Sequence, residues 1–210
     1  MTDIANAIKD RRSIRKYQAK AVPQELVEEV LVAAGWAPSA HNAQTWRFVV
    51  LDDPVIKLQL AVAMAEAWTV DMTKEKIEID AKTRSVRVER FASAPVLILA
   101  CTTMDGMPTH FEEEKRSLER DLAIESLGAA LQNLLLKAHA NGLGACWFCA
   151  PSFCKDTVRK VLRIPGDVEP QALILMGYSA EQPTVPARKM LKDYAFRNFW
   201  GAEFTKDISH

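Results

Sequence analysis

Apolar positions along this chain change their spacing from block to block, and each spacing predicts an element. Leu26, Val27, Val30, Leu31 and Ala34 recur at three and four, the one-sided pattern of a helix. Pro23-Gln24-Glu25 opens that helix in the way helix starts favour, and Gly35 and Pro38 end it. Trp46 to Leu51 is a compact apolar run bounded by Asp52-Asp53-Pro54 and reads as a buried strand. Helical spacing returns from Ile56 to Trp68, and the charged, weakly periodic stretch 71–90 is expected to be a helical excursion. Pro95 to Cys101 reads as a second buried strand, and the stretch 102–110, with Gly106 and Pro108, as a loop.

A long helix is predicted from about Glu112 to Ala140, its start carrying the acidic run 112–114 that suits a helix N-terminus, with Gly142 as its cap. From Leu127 onward it is apolar nearly all round, so it is expected to be internal, with Gly128, Ala129 and Ala130 allowing close approach of another backbone. Ala145–Phe148 and Ala172–Met176 are further strands, and Cys154–Leu162 a short helix. The segment after Gly177 carries Tyr194, Phe196, Phe199, Trp200 and Phe204, and a segment that apolar has to pack on its own body or on a partner. Residues 1–180 are read as one domain and 181–210 as a C-terminal extension.

Length and composition narrow the classes. A chain of 210 residues, 49% hydrophobic and 26% charged, suits a single globular domain. The formal net charge is zero, which removes a global electrostatic case for nucleic acid or an anionic membrane. The longest apolar run is broken by Gln132 and Asn133 and is too short for a bilayer. No export signal pattern is legible at the start, so the expected compartment is the cytoplasm and the cysteines are expected as thiols.

Two polar runs carry the candidate chemistry. Arg11-Arg12-Ser13-Ile14-Arg15-Lys16-Tyr17 crowds cations and a hydroxyl together, which suits a phosphate, because guanidinium groups offer forked donors to its oxygens. Pro38-Ser39-Ala40-His41-Asn42-Ala43-Gln44-Thr45-Trp46 is a turn of amides and hydroxyls able to orient a planar ligand. No Gly-x-Gly-x-x-Gly turn marks a Rossmann dinucleotide site. Cys146-Trp147-Phe148-Cys149 reads as structural thiols: a redox pair belongs at a helix N-terminus, and no fourth ligand or histidine pair has metal-ligand spacing. No metal is expected. His110, His139 and His210 carry no argument, and the role of His41 stays open.

The two runs, followed by Gln132-Asn133-Leu134-Leu135, Asn141-Gly142-Leu143-Gly144-Ala145-Cys146-Trp147, Gly177-Tyr178 and Pro186-Ala187-Arg188-Lys189, resemble the nitroreductase superfamily from about Ile4 to Lys189. The resemblance implies an α+β fold, a central mainly antiparallel sheet flanked by helices, and an intertwined homodimer with FMN at the interface, each site lined by both chains. It implies NAD(P)H as electron donor and a small electrophilic acceptor (nitroaromatic, quinone or similar), in two half-reactions. The flavin performs the chemistry, so no catalytic side chain is expected.

Role by role, the resemblance puts Arg11 and Ser13 on the phosphate and ribityl end, with Arg12 beside them, and Arg15 as a cation near the N1–C2 edge. Pro38, Ser39 and Ala40 would line the ring, with Asn42 and Gln44 ordering the loop, and Arg188 would reach the phosphate. The backbone of Trp147, Phe148, Cys149 and Ala150 would lie near N5 and O4. Some members carry a Glu-Gly pair where Cys149-Ala150 stands, which leaves backbone donation intact and the substrate side open. Residues 141–151 and 168–172 resemble the flavin domain fused to the ligase of deazaflavin cofactor biosynthesis, so a reductase step in that pathway is an alternative. A flavin-binding protein without turnover is another.

Overall fold

In the computed structural model, which describes residues 3–204, helices cover both faces of a four-stranded sheet. The strands are β1 (Trp46–Leu51), β2 (Val96–Thr102), β3 (Gly144–Phe148) and β4 (Glu169–Gly177), ordered β1-β2-β4-β3 with every neighbouring pair antiparallel. The helices are α1 (Ile4–Asp10), α2 (Gln24–Gly35), α3 (Pro54–Lys74), α4 (Ala81–Ala92), α5 (Glu113–Ala140) and α6 (Lys155–Leu162). The expected α+β class and antiparallel sheet are what the chain adopts.

Alternation along β2 and β4 divides the core in two. Val96, Ile98 and Ala100, with Ala172, Ile174 and Met176, pack under α2 and α5. Leu97, Leu99 and Cys101, with Leu173 and Leu175, pack against α3, α4 and α6. Side chains of a strand alternate between faces, and here both faces are covered, so the central strands are unbroken apolar runs despite antiparallel pairing.

The elements depart from the sequence reading at identifiable places. β4 begins at Glu169 rather than Ala172, because Pro170 sits at a register shift between Ala100 and Cys101 where a missing N–H is tolerated. α3 runs on to Lys74, started by Asp53, whose carboxylate accepts from Val55 N at 2.7 Å and Ile56 N at 3.3 Å. The helical excursion is this extension plus α4, whose cap Asp80 accepts from Thr83 N at 2.6 Å. Gly142 (φ +74°) closes α5 as expected, Leu143 N donating to Ala138 O at 2.9 Å.

α5 is internal along one face only. Ala123, Leu127, Ala130, Leu131, Leu134, Leu135 and Ala138 are buried, while Gln132 is exposed and Asn133 is half-buried, donating to the Ala33 carbonyl at 3.2 Å. Large apolar side chains remain exposed just after α2 (Trp36, 83%) and in the C-terminal segment (Phe199, 79%; Trp200, 92%). His210, named in the sequence reading, lies outside the described residues.

Candidate functional site

The cationic run owes its place to one strand edge. Ile14 N donates to Ala145 O at 3.0 Å and Ser13 bridges Ala145 in parallel, so residues 13–14 lie along the free side of β3. Gly144 makes this approach possible: a Cβ there would sit 2.7–2.8 Å from the Ile14 side chain. Tyr17 anchors the far end, its buried hydroxyl 2.5 Å from the Ile14 carbonyl and 3.1 Å from that of Leu175, and burial pushes its pKa up.

Around this edge the guanidinium groups gather. Arg11 and Arg12 line a cleft of about 360 Å³ with Ile14, Gly144, Ala145 and Glu181. Arg12 spends part of its fork locally, donating to Lys9 O at 2.6 Å and Arg11 O at 2.8 Å, which caps α1. Cys146 is buried beside the Ser13 hydroxyl; burial raises its thiol pKa, and Arg15, Arg11 and Arg90 pull it back. Arg90, on α4, thus joins the cations named from sequence. Its signal was hidden because it lies inside a charged stretch that reads as solvated surface.

The second run sits elsewhere. Ala40 N donates to Ser126 Oγ at 3.0 Å, and Gln44 N to Ser39 Oγ at 3.1 Å, which fixes the turn on α5. Gln44 Nε2 lies 3.4 Å from the Asn42 backbone carbonyl, a contact within the turn. His41, Asn42 and Gln44 all hold positive φ (55°, 53° and 49°). Non-glycine residues pay for that conformation, and such strain concentrates at functional loops. His41 has a partner after all: Nε2 of His41 and Nε2 of His110 each lie 3.1 Å from a different oxygen of Glu119. Trp46 is a core anchor, buried at the start of β1.

One chain does not bring the two runs together. Trp46 pairs with Thr102 and Thr102 with Glu169 at one end of the sheet, whereas Ala145 pairs with Met176 and Met176 with Val96 at the other. β1 and β3 are also opposite edges. At ~4.8 Å per strand and ~3.3 Å per residue, the runs stand at diagonal corners more than about 20 Å apart.

The remaining residues divide similarly. Trp147 points to the α5 side, its ring tip at Gly128, and Phe148 to the other, edge-on to Phe91 at 5.3 Å. β3 ends at Phe148, and Cys149 is an exposed residue opening a short turn over Ala150–Phe153. All four thiols are free, and burial holds Cys101 up at about 12, far from a reactive thiolate. Arg188 lies on an exposed stretch and is not among the residues lining the Arg11–Arg12 cleft.

The chain belongs to the Nitroreductase family, whose pattern it matches over residues 8–178. It is 31% identical over 185 residues to a Methanothermobacter thermautotrophicus protein named as an NADH dehydrogenase/NAD(P)H nitroreductase, covering 86% of this chain and 80% of that one. A Desulfovibrio desulfuricans nitroreductase solved in complex with FMN superposes with a TM-score of 0.70 at 28% identity, covering 95% and 99% of the two chains. A BluB-like flavoprotein from Clostridium difficile 630 shares the fold, with a TM-score of 0.77 at 24% identity over 94% and 99%. No helix of the described residues is long and apolar enough to cross a membrane.

Proposed function

We propose that this protein is an FMN-dependent oxidoreductase that takes hydride from NADH or NADPH and delivers it to a small electrophilic acceptor, at sites built by two copies of the chain. The observation that carries the reading is the cleft that Arg11 lines at the β3 edge, with Arg15 and Arg90 near enough to pull down the Cys146 thiol pKa. None of the three guanidinium groups has a carboxylate within ion-pair distance among the described residues. Unpaired guanidinium groups beside a hydroxyl are the donor set that a phosphorylated, electron-accepting ring requires.

In this reading Arg11, Arg12 and Ser13 hold the phosphate and ribityl end, and Arg15 sits at the edge that gains negative charge on reduction. FMN, when bound, supplies the hydride chemistry, which is why the chain needs no nucleophile. The backbone of residues 147–150 lines the ring from the same chain. Residues 38–40, with Asn42 and Gln44 holding their turn, come from the second copy, because within one chain they stand at the far corner. That two-fold arrangement also covers the exposed Trp36 after α2 and the aromatic residues of the C-terminal segment, and the segment's docking on the partner brings in Arg188.

The test is the visible spectrum of purified protein with and without nicotinamide. A flavin band that bleaches anaerobically with NADH or NADPH, and returns with a quinone or nitroaromatic, is expected. A flavin band that neither nucleotide bleaches would leave a storage protein. Absence of flavin binding would end the reading.

A further inference from the structure

On the face of the sheet away from α5, a chamber of about 230 Å³ opens between α3, α4 and the turn at 150–154. Met64, Met72, Phe153 and Trp68 supply apolar and aromatic walls, Ala67 and Ala150 leave room, and one cation, Arg87, lines it. The Arg87 guanidinium stacks over the Trp68 ring at 4.3 Å, and the Phe91 ring lies at 5.9 Å. Stacking covers a face of the fork and leaves its edge as donor. Its Nε is buried and has no hydrogen-bond partner.

An unsatisfied buried donor is costly, and more so on a charged group. Burial and the neighbouring Arg90 charge both press against the Arg87 charge, with only the Cys154 thiol acting the other way. The Asp71 carboxylate at the chamber wall is 3.7 Å from Lys74 and forms no ion pair with Arg87. Arg87 therefore has no carboxylate partner among the described residues, although Asp71 stands at the same wall beside Lys74. A volume below the about 300–1,000 Å³ of drug-sized pockets limits the occupant to roughly one ring.

We propose that this chamber binds a small aromatic carboxylate, its ring against Phe153, Met64 and Met72 and its carboxylate on the free edge of Arg87. Ala150 belongs both to the chamber wall and to the segment placed beside the flavin, so an occupant that also carries a nitro or quinone group is placed to accept the flavin's hydride on that group. That use rests on the flavin reading; the binding itself does not.

Calorimetric titration of the intact protein with benzoate and with its neutral isostere benzamide tests the site. Benzoate is expected to bind one per chain, with benzamide at least about ten-fold weaker, the scale of a charge-assisted hydrogen bond. Arg87→Met, which keeps the stacked, unbranched side chain, should erase the preference while the flavin band is unchanged. Ala67→Leu should block benzoate with Arg87 intact. Equal affinity for the two probes, no benzoate binding, or a preference that survives Arg87→Met would overturn the proposal. Loss of flavin from Arg87→Met would also overturn it, by making Arg87 a cofactor ligand. A protein that selects benzoate yet never holds flavin would sink the redox reading and leave the chamber assigned.

Discussion

The Glu181 carboxylate accepts the backbone N–H of Arg15 at 2.5 Å across 166 residues of sequence, and that of Lys16 at 3.1 Å. The segment leaving β4 is thereby stitched to the cationic run, with Ala180 N donating to Lys16 O and Gln18 N to Tyr178 O, both at 2.9 Å. Glu181→Ala removes an acceptor from two adjacent amides and is expected to loosen the run. It should cost about 1–2 kcal/mol in stability and weaken flavin retention. Glu181→Gln keeps a carbonyl acceptor and should retain most of both. Denaturant melts and the flavin-to-protein absorbance ratio check this; identical behaviour of the Ala and Gln variants would show that the stitch is immaterial.

Arg15→Ala removes the cation closest to the expected locus of charge on reduction. Flavin affinity should fall about ten-fold, and reduction by NAD(P)H should slow in the holoprotein reconstituted with excess FMN. Stopped-flow absorbance at saturating FMN separates the two effects. Unchanged retention and rate would remove Arg15 from the site.

Gly144→Ala probes the strand edge without touching a charge. A methyl 2.7 Å from Ile14 has to push residues 13–14 away from β3. Overpacking of this kind costs about 1–3 kcal/mol. Displacement of the guanidinium groups should add a flavin affinity loss that an equally destabilising core variant such as Leu60→Ala lacks. Equal flavin loss in both variants would attribute the effect to stability alone.

Glu169 predicts an acid-side dependence. Its carboxylate accepts from Arg120 Nη2 at 2.8 Å and Lys155 Nζ at 2.7 Å, and the Arg120 bond leads in holding its pKa down at about 2. The folded pKa lies below the ordinary value of 4.5, so the stabilisation is full above pH 4.5 and lost as pH falls toward 2. After allowance for partial exposure, Glu169→Gln should cost about 2 kcal/mol near neutrality. The gap between variant and parent should close as pH drops from 4.5 toward 2, measured by urea midpoints. A gap independent of pH would mean that charge is not its source.

Shared sites predict complementation. Arg15→Ala damages the run, and Ala40→Trp blocks the turn that the partner would supply. Neither homodimer should turn over, but a mixed dimer keeps one intact site, so random co-assembly should restore roughly a quarter of the parent's sites. Turnover of the co-assembled mixture measures this. No recovery, with mixed dimers verified by mass, would put both runs in one chain's site.

Much of the fold was legible because β1 and β2 are unbroken apolar runs with clear borders, and because the periodicity of α2 and α5 is one that packing confirms. β4 was read short since Pro170 masks a strand start that a register shift accommodates. The cationic run was legible as chemistry, but its position was not. Only the parallel bridge of Ser13 to Ala145 shows which strand it decorates, and such a pairing leaves no local pattern. Arg87 and Arg90 were illegible for a related reason: on a polar helix, a guanidinium folded over Trp68 looks the same in sequence as one in water. Lys57 is the converse case, a buried lysine whose Nζ donates to the carbonyls of Ala94 and Pro95, inside a helix that spacing alone makes ordinary.

The left-handed residues of the 41–44 turn have a consequence for affinity. Because Ser126, Glu119 and the Asn42–Gln44 contact already hold the backbone in that shape, the flavin proposed to rest there would have no loop to freeze. The energetic toll is levied once, when the polypeptide first collapses, and every later visitor meets a rigid rim.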